Sequence, residues 1–220
     1  MSSDTEIESR GGYHHGELPA TLMALAMQHI ETGGTEKLSL RALAREAGVS
    51  PTAPYRHFPT KQCLLAALAT QGFEQLHERT LKAVQSGGST DERFITLGET
   101  YIGFALENPT AYRLMFGSVL GDFSEYEMLR VASERSYQPV QALLQALIDE
   151  KNIAQDVSLL GGVVWSGVHG MASLLINDMD KGKSRPVTSP RESVHALRSN
   201  LRASIQLMFA NLVGGNTSDL

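Results

Sequence analysis

One segment, residues 39–61, constrains the fold of this chain more than any other. It reads SLRALAREAGVSPTAPYRHFPTK. Its first half predicts a helix over residues 39–47, because apolar side chains recur there at the spacing of one buried helix face. Those side chains are Leu40, Leu43, Ala44 and Ala47. Gly48 follows at a place where the chain must turn with positive φ, a conformation that costs glycine little, so it marks the end of this helix.

The second half of the segment predicts a short helix over residues 51–57. Ser50 stands where a side chain caps such a helix, and Pro51 fills the first position, where a missing N–H costs nothing. Pro54 lies only one turn in and so removes at most the first intrahelical bond. We expect Phe58 to pack inward. Two helices joined by a tight turn form a helix-turn-helix, whose second helix is sized for the major groove of DNA.

The exposed side chains of this segment suit a DNA surface. Cationic and polar groups contact phosphates and sugar edges, and small apolar groups contact thymine methyls. Residues 39–62 hold four basic side chains against one acidic side chain, whereas the whole chain carries a net charge of −5. A small basic patch on an acidic protein predicts a confined DNA footprint. The expected DNA-binding residues are Ser39, Arg41, Ser50, Thr52, Ala53, Tyr55, Arg56, His57, Thr60 and Lys61.

Several runs of the sequence resemble one known family. VSPTAPYRHFPTKQCLLAAL is similar to the DNA-binding domain of TetR-family transcriptional regulators, and YHHGELPATLMALAMQHIETGG resembles that family's first helix. NPTAYRLMFG (108–117) and WSGVHG (165–170) resemble the branch whose ligand domain is marked by a Trp, a His and a Gly. The resemblance implies a DNA-binding regulator in which the last two helices of the chain form the dimer interface.

The whole chain is expected to be all-α, with a three-helix head and a larger helical domain. We place a mobile arm at residues 1–12, the helix-turn-helix head at 13–62, and a ligand-binding and dimerisation domain at 63–220. The first helix of the head is expected over residues 17–30, and a long helix over 61–86 joins head to body. His14 and His15 either approach DNA or solvate the arm. The single cysteine, Cys63, excludes an internal disulfide, and we expect it to be buried.

Aromatic and methionine side chains are concentrated in the body, where helices are predicted over residues 91–107, 110–116 and 125–150. Such a cluster either lines an apolar ligand cavity with a few hydroxyls or is ordinary core. Trp165 and His169 are four residues apart, so they share a helix face. The pair either contacts a ligand or has a structural role. The candidate pocket residues are Tyr101, Phe104, Tyr112, Met115, Phe116, Tyr137, Trp165 and His169.

Residues 158–176 carry no charged side chain and are long enough to span a bilayer. Polar side chains interrupt the stretch and no basic cluster flanks it, so we favour a core helix. Small residues recur in it at four-residue spacing, and a last helix over 191–213 has a heptad-like apolar seam. Two such helices from each of two subunits would form a four-helix bundle. The candidate interface residues are Gly162, Ser166, Gly170, Leu197, Leu201, Ile205 and Met208.

The sequence shows no motif for phosphate binding, metal ligation or nucleophilic catalysis. The main hypothesis is therefore a cytoplasmic, homodimeric regulator that binds a palindromic operator in double-stranded DNA and is a repressor released by a small, largely apolar effector. This hypothesis predicts no enzyme activity, no bound cofactor or metal, and no association with a membrane. The alternatives are a small-molecule carrier or enzyme with a relic helix-turn-helix head, and a helical interaction adaptor.

Overall fold

The computed structural model describes residues 17–180 and 189–213. Over these residues it is all-α and contains no strand, as the sequence predicts. Its helices are α1 (Leu18–Gly33), α2 (Leu40–Glu46), α3 (Lys61–Val84), α4 (Thr90–Glu107), α5 (Pro109–Phe116), α6 (Glu127–Lys151), α7 (Val157–Asp180), α8 (Ser189–Ser199) and α9 (Leu201–Val213). The predicted arm, with His14 and His15, and most of the polar connection at 181–190 lie outside the described residues.

The chain divides into two compact units, and the division falls between Leu68 and Ala69. The first unit contains α1, α2 and the start of α3, and the second contains the rest of α3 and all later helices. The long helix expected over residues 61–86 is therefore present as one continuous helix that belongs to both units.

The first unit is built around an apolar centre that α1 and α2 share. Leu22 of α1 and Leu43 of α2 are completely buried, and Phe58 turns inward as expected. His29 of α1 lies 2.7 Å from the Glu46 carboxylate of α2, which ties the two helices together at the surface. After α2 the chain turns at Gly48, whose φ of 69° explains the glycine there.

The second helix of the helix-turn-helix differs from the expected one. It is a four-residue 3₁₀ helix, Ala53–Arg56, which we call the recognition turn. Ala53 N–H donates to the Ser50 carbonyl and Tyr55 N–H to the Thr52 carbonyl, the three-residue spacing of a 3₁₀ helix. Pro54 has no N–H to continue an α-helical ladder. The expected side-chain cap by Ser50 is also absent, because its hydroxyl lies 3.3 Å from the Thr52 hydroxyl.

Thr60 begins α3 in a role that the sequence analysis did not assign to it. Its hydroxyl accepts a hydrogen bond from the backbone N–H of Cys63 at 3.1 Å, the geometry of a helix cap. The same hydroxyl donates to Cys63 Sγ at 3.1 Å. Cys63 is free and only partly buried, so the expectation of a buried thiol was wrong.

The second unit packs its helices around α4, which contacts α5, α6, α7 and α9. α4 has a continuous buried stripe, in which Phe94, Leu97, Tyr101, Phe104 and Ala105 all point inward. Phe94 meets Phe209 of α9 with ring centroids 4.7 Å apart, in a cluster completed by leucines of α6 and by Leu160 and Val164 of α7. This core fixes the walls of the cavity described below.

The single last helix predicted over residues 191–213 is two helices, α8 and α9, separated at Asn200. The Asn200 side-chain amide donates to the Ala196 carbonyl at 3.0 Å, which satisfies one terminal carbonyl of α8. α8 is fixed to α7 by Arg191, whose Nε lies 3.0 Å from the little-exposed Asp178 carboxylate. α9 is fixed to α4 by Arg202, which bridges Glu92 and Glu99.

One helix of the described part of the chain, α7, is long and apolar enough to cross a membrane by length and composition. The stretch Val157–Met179 has a mean hydropathy of 1.6, and 39% of its window is buried inside the chain. Its contacts with α4, α6, α8 and α9 are those of a core helix, which is the interpretation that the sequence favours.

Candidate nucleic-acid interface and ligand cavity

The surface of the helix-turn-helix carries most of the expected DNA-binding side chains in exposed positions. Tyr55 is 42% exposed on the recognition turn, a large fraction for an aromatic residue. The exposed members of the predicted set are Ser39, Arg41, Ser50, Thr52, Tyr55, Arg56, His57 and Thr60, whereas Ala53 is partly buried. Within the described chain, no ion pair engages the guanidinium groups of Arg41 and Arg56. Their charges are therefore available to phosphate.

Lys61 differs from the other cations because its ammonium group already has a partner. Lys61 Nζ donates to the backbone carbonyl of Thr35, at a distance of 3.3 Å, in the connection between α1 and α2. The side chain is partly buried. An ammonium group has three donors, so the contact does not exclude a phosphate. It does give Lys61 a part in holding the first unit together.

A cavity of about 310 Å³ lies within the second unit, between α3, α4, α6, α7 and α9. Its exposed lining residues are Gly162 and Trp165, both on α7, so the cavity opens beside this helix. The walls are mostly apolar. Its lining residues are Phe73, Leu76, Thr80, Phe94, Leu97, Gly98, Tyr101, Phe116, Ser133, Ser136, Tyr137, Val140, Gly161, Gly162, Val164, Trp165, Val168, Ile205 and Met208.

A hydrogen-bonded aromatic cluster lies beside the cavity. Trp165 Nε1 donates to Tyr101 Oη at 3.3 Å, and Tyr101 Oη lies 3.1 Å from Tyr112 Oη. Tyr112 Oη in turn lies 2.6 Å from Nδ1 of His169. The Trp165 and His169 rings are 5.4 Å apart, which confirms that they share a face of α7. The cluster joins α4 to α5 and α7, and α5 and α7 carry the segments 108–117 and 165–170.

Burial shifts the protonation of this cluster toward neutral forms. Desolvation raises the pKa of Tyr101, and desolvation together with the neighbouring Tyr101 raises that of Tyr112. Desolvation lowers the pKa of His169 below its ordinary value. Neutral phenols with a neutral imidazole allow each hydroxyl to donate to the next group, with His169 Nδ1 as the final acceptor.

The structure divides the candidate pocket residues into three groups. Tyr101, Phe116, Tyr137 and Trp165 line the cavity. Tyr112 and His169 line a second, smaller depression of about 170 Å³, which Phe116 also borders. Phe104 and Met115 line neither of these two, although Phe104 borders a separate depression beside Arg79 and Glu107. Phe104 is completely buried beneath the guanidinium group of Arg79, and Met115 packs against Gly72.

The candidate residues of the dimer interface also differ in their exposure. Gly162 and Ser166 are exposed and Gly170 is partly exposed, with open space beside both glycines. Leu197 and Leu201 are partly buried. Ile205 is 0% exposed and packs at Gly98 of its own chain, so its assignment to a dimer interface was wrong. Met208 is partly buried against Gly167, where a Cβ would overlap its sulfur. Among the described α9 side chains, Leu207 is 69% exposed instead.

The features of the cavity that were missed in the sequence include three hydroxyls and a glycine. Thr80, Ser133 and Ser136 line it with hydroxyls, and Gly161 leaves space for the Tyr137 side chain. Ser133 and Tyr137 are four residues apart on a predicted helix, which was the one available signal. Thr80 lies on the long helix between head and body, and nothing in its local sequence points to a cavity.

Comparison with known proteins agrees with the two-part architecture. Residues 22–68 match the family model for bacterial regulatory proteins of the tetR family. Residues 94–199 match the model for a tetracyclin repressor-like C-terminal domain. The chain is 32% identical over 142 residues to the nucleoid occlusion factor SlmA of Marinomonas sp. (strain MWYL1), an alignment that covers 64% of this chain and 71% of that protein.

The chain belongs to the TetR family of bacterial regulatory proteins. A structure described as a protein with unknown function from Rhodococcus sp. RHA1 matches it with a TM-score of 0.73 and 32% identity, covering 93% of this chain and all of that one. The TetR-family transcriptional regulator PfmR from Thermus thermophilus shares the fold, with a TM-score of 0.61 and 18% identity over 89% of this chain and 98% of that one. This TetR-family chain is a DNA-binding transcriptional regulator.

Proposed function

We propose that this protein is a homodimeric, cytoplasmic repressor that binds a palindromic operator and is released from it by a small, apolar effector. The observation that carries the proposal is the combination of an exposed, cationic helix-turn-helix in one unit with an apolar cavity in the other. A cavity of this volume, lined mainly by aromatic and aliphatic side chains, is the usual form of a small-molecule site.

The proposed DNA contacts fall into two classes. Arg41, Arg56 and Lys61 contact phosphates and set the position of the head, as do the hydroxyls of Ser39, Ser50 and Thr60. Thr52, Ala53 and His57 lie on or beside the recognition turn, and we assign them to base edges and sugars. Tyr55 of the same turn acts mainly on phosphate positioning. Because the turn is only four residues long, one head reaches few base pairs, and affinity requires two heads on one duplex.

The proposed route from cavity to head is α3. Phe73, Leu76 and Thr80 of this helix line the cavity, and the same continuous helix begins at Lys61 in the first unit. A ligand that displaces these side chains changes the packing of α3, and packed helices shift as units. An effector that prefers the non-binding state by about 1.4 kcal/mol gives tenfold derepression.

The proposed dimer contact is the exposed face of α7. This face contains Gly162, Ser166 and Gly170, which allow a second helix to approach closely, and the exposed apolar side chains of Leu159 and Leu174.

We also assign the C-terminal unit to the branch marked by a Trp, a His and a Gly. Trp165 and His169 support this assignment because both belong to one hydrogen-bonded cluster.

Operator binding tests the proposal directly. We expect the full chain to shift a palindromic duplex from the region beside its own gene as a dimer, with half-site centres one helical turn, about 34–36 Å, or a multiple apart. Stoichiometry is measured by analytical ultracentrifugation of the complex. A matched duplex with one half-site scrambled is the control. If one copy bound the single half-site as tightly as the full site, the dimeric mode would be refuted.

A second candidate function comes from the similarity to the nucleoid occlusion factor SlmA. In that case the protein acts on the nucleoid and not on one promoter. Chromatin immunoprecipitation separates the two candidates. A few sites beside regulated genes support the local regulator, and many sites spread over the chromosome, with no change in neighbouring transcripts, support the second candidate.

A further inference from the structure

The cavity contains no charged side chain among the residues described. Its nineteen lining residues include no Asp, Glu, Lys, Arg or His. The body of the cavity is formed by Phe94, Leu97, Val164, Val168 and Ile205, which are all buried. A ligand with a net charge would lose its hydration there without gaining an opposite charge, and that desolvation is costly.

The hydroxyls that line the cavity are not equivalent. Thr80 donates to carbonyls of its own helix, at 2.9 Å from Leu76 O, and Ser136 donates to Ser133 O at 2.7 Å. Tyr101 is engaged in the aromatic cluster described above. Among the described residues, the hydroxyls of Ser133 and Tyr137 have no hydrogen-bond partner. These two are four residues apart on α6, so they lie on one face of that helix, and both line the cavity.

Gly161 places the Tyr137 hydroxyl. The Oη atom lies against the backbone of α7 at this residue, where a Cβ would overlap it. The glycine therefore lets a large phenol extend across the space between α6 and α7. Desolvation raises the pKa of Tyr137, so its hydroxyl stays protonated at neutral pH and is a hydrogen-bond donor.

From these contacts we infer that the cavity binds a neutral, mainly apolar molecule with one oxygen acceptor, such as a ketone or an ester, and that the Tyr137 hydroxyl donates to that oxygen, with Ser133 beside it. The inference rests on the proposed function in so far as it assigns the effector class to the same cavity. It makes Tyr137 the residue that selects an oxygenated ligand over a plain hydrocarbon. The absence of a cation in the lining selects against the carboxylate of equal length.

Three probes of equal chain length test this class: undecane, 2-undecanone and undecanoate. Trp165 is the only tryptophan of the chain and lines the cavity, so its fluorescence reports binding in the full-length protein. At pH 7.5 we expect the ketone to bind roughly three- to tenfold more tightly than the hydrocarbon, the increment of one hydrogen bond. We expect the carboxylate to bind at least about a hundredfold more weakly than the ketone.

Variants assign the effect to the Tyr137 hydroxyl. Tyr137→Phe should lower ketone affinity roughly three- to tenfold and leave undecane affinity unchanged, which also shows that the cavity is intact. Ser204→Ala is the matched control, because it removes a hydroxyl that does not line the cavity and that donates to the Asn200 carbonyl of its own chain, and it should leave both affinities unchanged. Gly161→Ala should displace the phenol and reproduce the loss for the ketone if Tyr137→Phe folds poorly.

Equal affinities for the ketone and the carboxylate, or no binding of any probe, would overturn the inference. The same holds if neither Tyr137→Phe nor Gly161→Ala weakens ketone binding. The titrations contain no DNA, so they fail or succeed independently of the proposed function. If the protein binds the ketone but no operator, the proposed repressor function is refuted. If it releases its operator only with carboxylates, the inferred class of ligand is refuted.

Discussion

At the scale of single residues, Arg56 and Lys61 carry the same charge in different surroundings. Arg56 is exposed and has no ion-pair partner in the described chain, whereas Lys61 donates to the Thr35 carbonyl. We expect Arg56→Ala to lower the salt dependence of operator binding by about one unit of log–log slope, with thermal stability unchanged. Lys61→Ala should lower both the slope and the melting temperature of the first unit.

Fluorescence anisotropy over a salt series measures the slope of operator affinity against salt, and calorimetry measures the melting temperature. Arg135→Ala is a suitable control, since it removes an exposed arginine from the second unit. An unchanged slope in Arg56→Ala would exclude this side chain from phosphate binding. A Lys61→Ala variant with native stability would show that the Thr35 contact contributes little.

His169 is the second residue whose surroundings predict a measurable behaviour. Burial lowers its pKa, and the ring accepts from Tyr112 while Tyr101 and Trp165 pack around it. As the pH falls through about 6.5, the unfolded chain takes up a proton at this histidine before the folded chain does. The free energy of unfolding therefore decreases on acidification, and the loss levels off below the folded pKa.

We expect His169→Asn, which keeps an acceptor near the Nδ1 position but does not titrate, to show a smaller decrease between pH 7.5 and 5. Urea unfolding at several pH values measures the difference in slope from the wild type. His57→Asn, in an exposed position of the other unit, is the control for the loss of a histidine. Identical pH profiles for wild type and His169→Asn would contradict the predicted linkage.

At the scale of helices, Thr60 and Ser39 both precede a helix with a side chain that can cap it, but only one does so. Thr60 Oγ1 accepts from the N–H of Cys63, whereas the Ser39 side chain makes no capping bond to α2. Thr60→Ala should lower the free energy of unfolding of the first unit by about 1 kcal/mol. Ser39→Ala, in the same unit, should change it by no more than a few tenths of a kcal/mol.

Chemical unfolding followed by far-ultraviolet circular dichroism measures both changes. Thr60→Ser keeps the hydroxyl and should recover most of the stability, which separates the cap from other effects of truncation. If Ser39→Ala were as destabilising as Thr60→Ala, the assignment of the caps would be wrong.

At the scale of the whole molecule, the proposed homodimer depends on the exposed face of α7. Ser166 lies near the middle of that face, and its hydroxyl is satisfied by the Val163 carbonyl of its own helix. Ser166→Glu would place two like charges against each other across a twofold axis. We expect sedimentation to show a monomer, with operator affinity reduced at least about tenfold because two heads no longer bind together.

Val131→Glu provides the matched control. Val131 is 46% exposed on α6 and is not part of the α7 face, so a glutamate there should leave both the dimer and operator binding unchanged. A dimeric Ser166→Glu protein with native operator affinity would place the interface elsewhere.

The sequence by itself determined the all-α fold class, the buried stripe of α4 and the turn of the helix-turn-helix. These depend on periodicity and on single residues such as Gly48, whose positive φ is a local property. The apolar stripe of α4 was predictable for the same reason. Thus the fold class and the exposed cations of the head could be predicted without knowledge of contacts between distant residues.

Only the tertiary structure decided what each buried or half-buried face meets. The seam of α9 has a heptad-like pattern whether it packs on its own chain or on a partner, and Ile205 packs at Gly98 of its own chain. Phe104 and Tyr101 lie on one helix face, yet one is core and the other lines the cavity. Helical spacing specifies that a side chain turns inward, but the identity of its neighbour depends on packing between helices that are far apart in sequence.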